Sequence, residues 1–284
     1  MTHSPLELFT LEGKVAAVTG GGGALCGAMA VALGSMGVNV AILDKHLDNA
    51  NARAKTITDA GGSALALACD VLNPDQLKKC RSAISKAWGP VDLLINGAGG
   101  NHPQGTTAAA FFDRQAPPVA DGATIFDLDP EGYRKVFDLN YMGTFLTTQI
   151  FSRGMVEKGS GSIVNISSMS AGTPLTKVAA YSSAKAAVSN FTRWLAVYFA
   201  KTGVRVNALA PGFFMTEQLR FLHVDPQTGQ LTPRAQQVIE HTPAGRYGEP
   251  ADLIGALVWL LSDASAFVTG IIVPVDGGFS AYAI

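Results

Sequence analysis

The sequence predicts a single α/β domain over residues 1–284, built as a doubly wound parallel sheet with helices on both faces. Three observations predict it. Short apolar runs alternate with helix-like stretches along the chain. A glycine cluster separates the first such run from the first helix-like stretch. Two long aperiodic segments, near 99–124 and 213–248, each follow a strand-like run. Parallel sheets carry their ligand-binding loops at that edge, and connectors of this length are seldom idle.

Taken in order, residues 14–18 form the first strand and 24–36, rich in Ala, Leu and Met, the first helix. Residues 38–43 form a second strand, closing on Asp44, and a helical stretch follows. A third strand spans 64–68, a helix 77–87 and a fourth strand 91–95. One long helix is expected over 131–153, a fifth strand over 162–166 and a helix over 179–202. A sixth strand at 204–209, a helix at 251–261 and a last strand at 270–275 complete the alternation. No internal repeat, low-complexity tract or interdomain linker interrupts it.

Composition narrows the function. With 48% hydrophobic and 15% charged residues the chain can bury a sizeable core, which argues against disorder. A formal net charge of −1 gives no broad field for nucleic acid or an anionic membrane. Cys26, Cys69 and Cys80 show neither metal-ligand spacing nor a disulfide framework, so no metal is expected and the thiols read as reduced, in a cytoplasm. Residues 1–8 lack the basic start and apolar run of a signal peptide, and no apolar stretch is long enough to span a bilayer.

The segment 19–27, Thr-Gly-Gly-Gly-Gly-Ala-Leu-Cys-Gly, lies between a strand and a helix. Glycines there permit a tight turn and a close backbone approach, and the helix N-terminus offers free N–H groups to a pyrophosphate. The simpler reading is a glycine-rich turn with no ligand. Asp44 shifts the balance. It closes the second strand about twenty residues beyond the loop, where a carboxylate binds the adenosine ribose hydroxyls and repels a 2′-phosphate. NAD(H) is therefore expected over NADP(H), although Lys45 next door softens the repulsion. Asp70 and the run Asn96-Gly97-Ala98-Gly99 end the third and fourth strands on the same edge.

Tyr181 and Lys185 are four residues apart on one helix face. An ammonium beside a phenol stabilises phenolate and lowers its pKa toward working pH. Ser168 lies just past the fifth strand, and Asn140 inside the preceding helix. A surface Tyr–Lys pair is the bland alternative; the dinucleotide loop and the strand-end serine weigh against it.

With these residues in place, the chain resembles the short-chain dehydrogenase/reductase family from about residue 11 to 278. The motifs are the loop at 19–27, Asp70, Asn96-Gly97-Ala98-Gly99, Asn140, Ser168, Tyr181-Ser182-Ser183-Ala184-Lys185, Pro211-Gly212 and Asp276-Gly277-Gly278. The resemblance implies a Rossmann-type fold with a substrate lid and NAD-linked interconversion of a secondary alcohol and a ketone. Tyr181 becomes the general acid/base, Lys185 the nicotinamide-ribose ligand that lowers the tyrosine pKa, Ser168 the donor to the reacting oxygen, and Asn140 the holder of a relay water. Cofactor contacts are expected at Gly20, Gly22, Gly23, Ala24, Leu25, Asp44, Asp70, Val71, Asn96, Ala98, Gly99, Tyr181, Lys185, Pro211, Gly212 and Thr216. A homotetramer is also implied, its long helices pairing across subunits and the apolar last strand and tail joining a second interface. One departure stands out. Ala24 and Cys26 replace the usual loop glycines, and their side chains are expected to push the pyrophosphate or the helix outward. Cys26 is either a packed inert thiol or one activated by the helix N-terminus.

Within the family, residues 96–102, 126–140, 174–185, 211–221 and 267–282 are similar to members that reduce a keto sugar acid. Such a substrate needs a buried cation for its carboxylate. Lys177, in the loop leading into the tyrosine helix, is the first choice and Arg220 the second. Asn101 and His102 are candidate hydroxyl ligands. Gln218 and His223 lie in the second insertion. Arg114, Arg234 and Arg246 are weaker candidates, Arg246 reading more simply as an anchor for the turn before Pro250. Phe213, Phe214 and Phe221 read as core or lid packing. The alternatives are a reductase of polyols or less polar ketones and, in another class, a catalytically inactive nucleotide sensor.

Overall fold

The computed structural model describes residues 4–115, 124–216, 220 and 223–283. Seven strands make one parallel sheet: β1 Val15–Thr19, β2 Asn39–Asp44, β3 Ser63–Ala68, β4 Leu93–Asn96, β5 Gly161–Ile166, β6 Val204–Pro211 and β7 Ile272–Val275. Their spatial order is β3-β2-β1-β4-β5-β6-β7. The chain winds outward from β1 in one direction and from β4 in the other. The β1/β4 junction is thus a topological switch point, where such sheets leave a crevice at the strand C-termini.

The helices are α1 Ala24–Ser35, α2 Leu47–Asp59, α3 Pro74–Trp88, α4 Pro130–Phe137, α5 Gly143–Lys158, α6 Ala179–Tyr198, α7 Pro233–His241 and α8 Ile254–Leu261. Alternate strand residues supply two cores. Ala16, Val18, Val40, Ile42, Leu93 and Ile95 pack with α1, α2 and α8. Val15, Ala17, Ala41, Leu43 and Leu94 pack with α3, α5 and α6. Covered on both faces, the inner strands become continuous apolar runs, which is why they stand out in the sequence. No described helix is long and apolar enough to cross a membrane.

Two expectations change. The single helix over 131–153 is in fact α4 and α5 joined by a π-turn, Asp138–Met142. The turn is set by Asn140, whose amide donates to Val136 O at 2.8 Å and to Gly100 O at 2.7 Å, forty residues back in the chain. The second insertion also holds a helix, α7. Thr232 caps it by accepting from Ala235 N at 3.3 Å, and Pro233 occupies its first turn.

Candidate active site

Tyr181 and Lys185 occupy the first two turns of α6, and Ser168 follows directly after β5. Lys185 ties the two elements together. Its Nζ donates to the carbonyl of Ile166, the last residue of β5, at 2.7 Å. The same nitrogen lies 5.6 Å from the centroid of the Tyr181 ring. Ser167 Oγ donates to the Lys185 carbonyl at 3.2 Å and shares a 2.6 Å bond with Ser189 Oγ, clamping β5 to α6 from below. Ser168 Oγ accepts from Ser170 N at 3.2 Å and from Ser170 Oγ at 3.0 Å, so its own proton is free to point at the phenol. The family resemblance did not mark Ser167, Ser170 or Ser189; the first two lie close to Ser168 in sequence, and Ser189 lies one helical turn beyond Lys185.

Burial dominates the electrostatics. It pulls the Lys185 ammonium from 10.5 down to about 8, with the nearby Cys26 pulling weakly upward. It raises the Tyr181 phenol above its ordinary value, and the Ser168 hydroxyl lowers it in part. The expected lowering of the phenol by Lys185 is therefore not met: desolvation of phenolate outweighs the charge, and the ammonium is engaged with the Ile166 carbonyl. At neutral pH Tyr181 is protonated and Lys185 mostly charged. That is the proton-donating form of the pair.

Asn140 joins from the π-turn. Its Oδ1 accepts from Gly100 N at 3.2 Å while both amide hydrogens are spent on backbone carbonyls. Only its acceptor lone pairs remain to hold a water. A Cβ at Gly99 would fall 2.5 Å from Asn140 Oδ1 and 3.1 Å from Lys185 Nζ, so bare backbone is required beside both groups.

The glycine loop fits a dinucleotide. Gly20 has φ +64°, and a Cβ there would sit 2.9 Å from Ala98 Cα. Gly23 leaves the α1 N-terminus without a side-chain cap, with Ala24 exposed behind it. Gly22 N donates to Asp44 Oδ2 at 3.0 Å, and a Cβ at Gly22 would press on that carboxylate. Thr19 Oγ1 accepts from Gly97 N at 3.0 Å and Ala98 N at 3.2 Å, tying β1 to β4 across the switch point. Asp44 and Asp70 stay partly exposed at the ends of β2 and β3, with Val71 buried beside them. Lys45 turns to Asp70 at 3.5 Å. Beyond β6, Gly212 N donates to Val275 O at 2.9 Å. Asn96 is placed differently: its buried amide donates to Thr148 Oγ1 and Asn165 Oδ1, so its side chain braces the sheet interior. The thiol of Cys26 is also buried, lying against Gly97 instead of pushing into the cradle. Burial raises it to about 11, which supports the packed, inert thiol.

A family model described as enoyl-(acyl carrier protein) reductase matches residues 23–280. An uncharacterized oxidoreductase of Bacillus subtilis, UxuB, is 49% identical over 273 residues, covering 96% of each chain. A protein from Haemophilus influenza assigned as a D-mannonate oxidoreductase, solved with bound NAD, superposes with TM-score 0.92 at 47% identity over 96% of this chain and 97% of that one. The chain belongs to the short-chain dehydrogenase/reductase family. At greater distance the relatives spread in chemistry: a 7α-hydroxysteroid dehydrogenase of Escherichia coli is 32% identical over 269 residues, 94% of each chain.

On the substrate side this short-chain dehydrogenase/reductase departs from expectation. Lys177 is exposed, not buried. It is the one non-glycine residue with positive φ, +74°, among those described. Its carbonyl accepts from Thr107 N at 2.9 Å, stitching the first insertion to the loop before α6. Arg220 is exposed as well, its backbone bonded to Thr216 and Val224. Asn101 Nδ2 donates to Thr106 Oγ1, and His102 Nδ1 accepts from Gln104 N, so both shape the first insertion. They border a groove of about 770 Å³ that also holds Asp127 and Asp129, the wrong sign for a carboxylate ligand.

The second insertion has a closed neck. Gly248 N donates to Phe213 O and Met215 N to Gly248 O. Inside, Ala235, Val238 and Tyr247 form a small core with Phe213. His223 Nδ1 shares a 2.6 Å bond with Tyr247 Oη. Burial lowers the His223 pKa, helped by Arg234, so this histidine is a neutral structural prop. Arg246 grips Asp252 at 2.6 and 3.0 Å, holding that carboxyl down at about 2, as an anchor for the turn. The α7 part of the second insertion is thus anchored at the neck, through His223 and Tyr247, and through Arg246. Gln218 and Phe221 lie outside the described residues, and Phe214 is buried at the neck.

Proposed function

We propose that this oxidoreductase interconverts a secondary alcohol and a ketone on a sugar acid of the D-mannonate/D-fructuronate type, using NAD(H). The observation that carries the chemistry is the convergence of Ser168, Tyr181, Lys185 and Asn140 at the C-terminal end of β5, beside the glycine cradle. That complete set also argues against a nucleotide sensor that has lost catalysis. When bound, the cofactor supplies or accepts the hydride. Gly20, Gly22, Gly23, Ala24 and Leu25 would hold the pyrophosphate, Asp44 the adenosine ribose, Asp70 and Val71 the adenine, Ala98 and Gly99 the adjoining backbone, and Pro211, Gly212 and Thr216 the nicotinamide end. In ketone reduction the protonated Tyr181 gives its proton to the substrate oxygen while Ser168 hydrogen-bonds the same oxygen. Lys185 supplies positive charge beside the developing phenolate, and Asn140 fixes Gly100 and the π-turn behind it.

Asp44 supports NAD over NADP, because Lys45 is drawn to Asp70 and leaves the Asp44 carboxylate unbalanced. The sugar-acid reading draws on the neighbour assigned to D-mannonate. A less polar ketone is the second reading. It is favoured by the exposure of Lys177 and Arg220, neither of which offers a buried cation for a sugar acid's carboxylate, and by the steroid-active relative. An NAD-linked assay over sugar acids, neutral polyols and hydroxysteroids decides between them. Turnover of D-mannonate at least tenfold above every neutral alcohol supports the proposal; turnover confined to apolar alcohols overturns it.

We place the protein in the cytoplasm as a homotetramer. The buried free thiols suit a reducing setting. Trp194, Val197 and Tyr198 are 56%, 78% and 67% exposed on α6, with Phe191, Trp194 and Tyr198 stacked in a row. An aromatic face of that kind suits burial against a second copy of the same helix.

A further inference from the structure

Cys26 is the third residue of α1, and its side chain points away from the cradle. It enters the gap between the pyrophosphate loop and the run that follows β4. A Cβ built at Gly97 would overlap Cys26 Sγ outright and would lie 3.4 Å from Cys26 Cβ and 3.0 Å from Thr19 O. The thiol therefore occupies the room that a side chain at 97 would take. The same gap is bridged by Thr19 Oγ1, which accepts from Gly97 N and Ala98 N, and by Gly20, whose own Cβ would strike Ala98. Two residues further on, Gly99 leaves room for no side chain: a Cβ there would strike Asn140 Oδ1 and crowd Lys185 Nζ. Cys26, Gly97 and Gly99 thus form a close-packed strut from the cofactor loop to the catalytic lysine.

We propose that Cys26 is a positioning residue: its thiol, seated in the room left by Gly97, sets the gap between the pyrophosphate loop and the β4 run, and so holds Lys185 and Asn140 in register with the bound dinucleotide. The proposal rests on the reading of the loop as the cofactor site. Its chemistry is steric. The thiol is buried and neutral, so it acts as a spacer of fixed size and not as a nucleophile. The pair also explains how the loop tolerates a side chain where glycine is usual: volume added at 26 is matched by volume absent at 97.

The test is a double-variant cycle read by binding of NADH and of 5′-AMP to the full chain. Gly97→Ala should weaken NADH binding at least tenfold and leave AMP within about threefold, because Asp44, Asp70 and Val71 stand outside the strut. Cys26→Gly with Gly97→Ala should restore NADH binding to within about threefold of the unmodified protein. Cys26→Ala, which removes only the sulfur and is safe for folding, should weaken NADH binding about three- to tenfold without moving AMP. A double variant no tighter than Gly97→Ala, or unchanged NADH binding in both single variants, overturns the strut while leaving the cofactor reading intact. Failure of the unmodified protein to bind either NADH or AMP overturns the cofactor reading and the strut together.

Discussion

Replacing Lys185 with methionine should stabilise the cofactor-free protein while destroying its activity. Burial lowers the Lys185 pKa from 10.5 to about 8. At about 1.4 kcal/mol per pH unit, holding the ammonium in that site costs about 3 kcal/mol at neutral pH. Methionine has similar length and no charge to desolvate. It forfeits the bond to the Ile166 carbonyl, which costs about 1–2 kcal/mol. The net gain is about 1–2 kcal/mol, or roughly 2–8 °C in melting temperature for a domain of this size. The pH dependence carries a sign. Between about 8 and 10.5 the unfolded chain binds this proton and the folded chain has lost it, so stability contributed by Lys185 rises with pH across that window. Lys185→Met lacks that slope, so its advantage at pH 7 should shrink above about pH 8 and the two curves should cross before pH 10.5. Urea titrations at pH 7 and pH 10, with NADH binding measured alongside, check both statements. A loss of more than about 1 kcal/mol at pH 7 would refute the claim that desolvation dominates at Lys185, since a loss of the Ile166 bond alone would then outweigh it.

Asp44→Ala should narrow the preference for NADH over NADPH by roughly ten- to hundredfold, about 1.4–2.8 kcal/mol in kcat/KM; equal or better turnover with NADPH in the unmodified protein contradicts the role of Asp44. Lys177→Met should leave KM for an acidic substrate and for a neutral polyol alike within about threefold, because Lys177 is exposed; a rise of about tenfold or more for the acid alone would return Lys177 to carboxylate recognition. Lys177→Gly should raise stability by about 1 kcal/mol, because glycine adopts the left-handed backbone at no steric cost; a denaturant midpoint that does not move shows the strain to be absorbed elsewhere.

The sheet was legible because its inner strands are covered on both faces. Runs such as 15–18 and 93–95 must then be apolar throughout. The pairing of Asp44 with the glycine loop was legible because a carboxylate closing the next strand lies beside such a loop, and Gly22 N donates to Asp44 Oδ2 at 3.0 Å. The break between α4 and α5 was not, since the periodicity runs on through Asn140 and the π-turn is decided by a contact forty residues away at Gly100. The α7 helix left a usable signal, Thr232-Pro233 followed by Ala235, Val238 and Ile239, which the polar insertion around it obscured. The partnership of Cys26 with Gly97 joins residues seventy-one positions apart and has no local signature. The sign of the Tyr181 shift also lay beyond the sequence, because spacing alone says where Lys185 sits and not how much water surrounds the phenol.

The central claim is that Tyr181 delivers the proton in an NAD-linked carbonyl reduction. Its most direct test is single-substrate turnover of Tyr181→Phe measured together with its NADH affinity. The phenyl ring fills the same space, so the fold and cradle should persist. Turnover should fall about 10²–10⁴-fold, the range for loss of a positioned general acid, while the NADH dissociation constant stays within about threefold. A Tyr181→Phe protein that keeps more than about a tenth of its turnover would place the proton donor elsewhere and contradict the account.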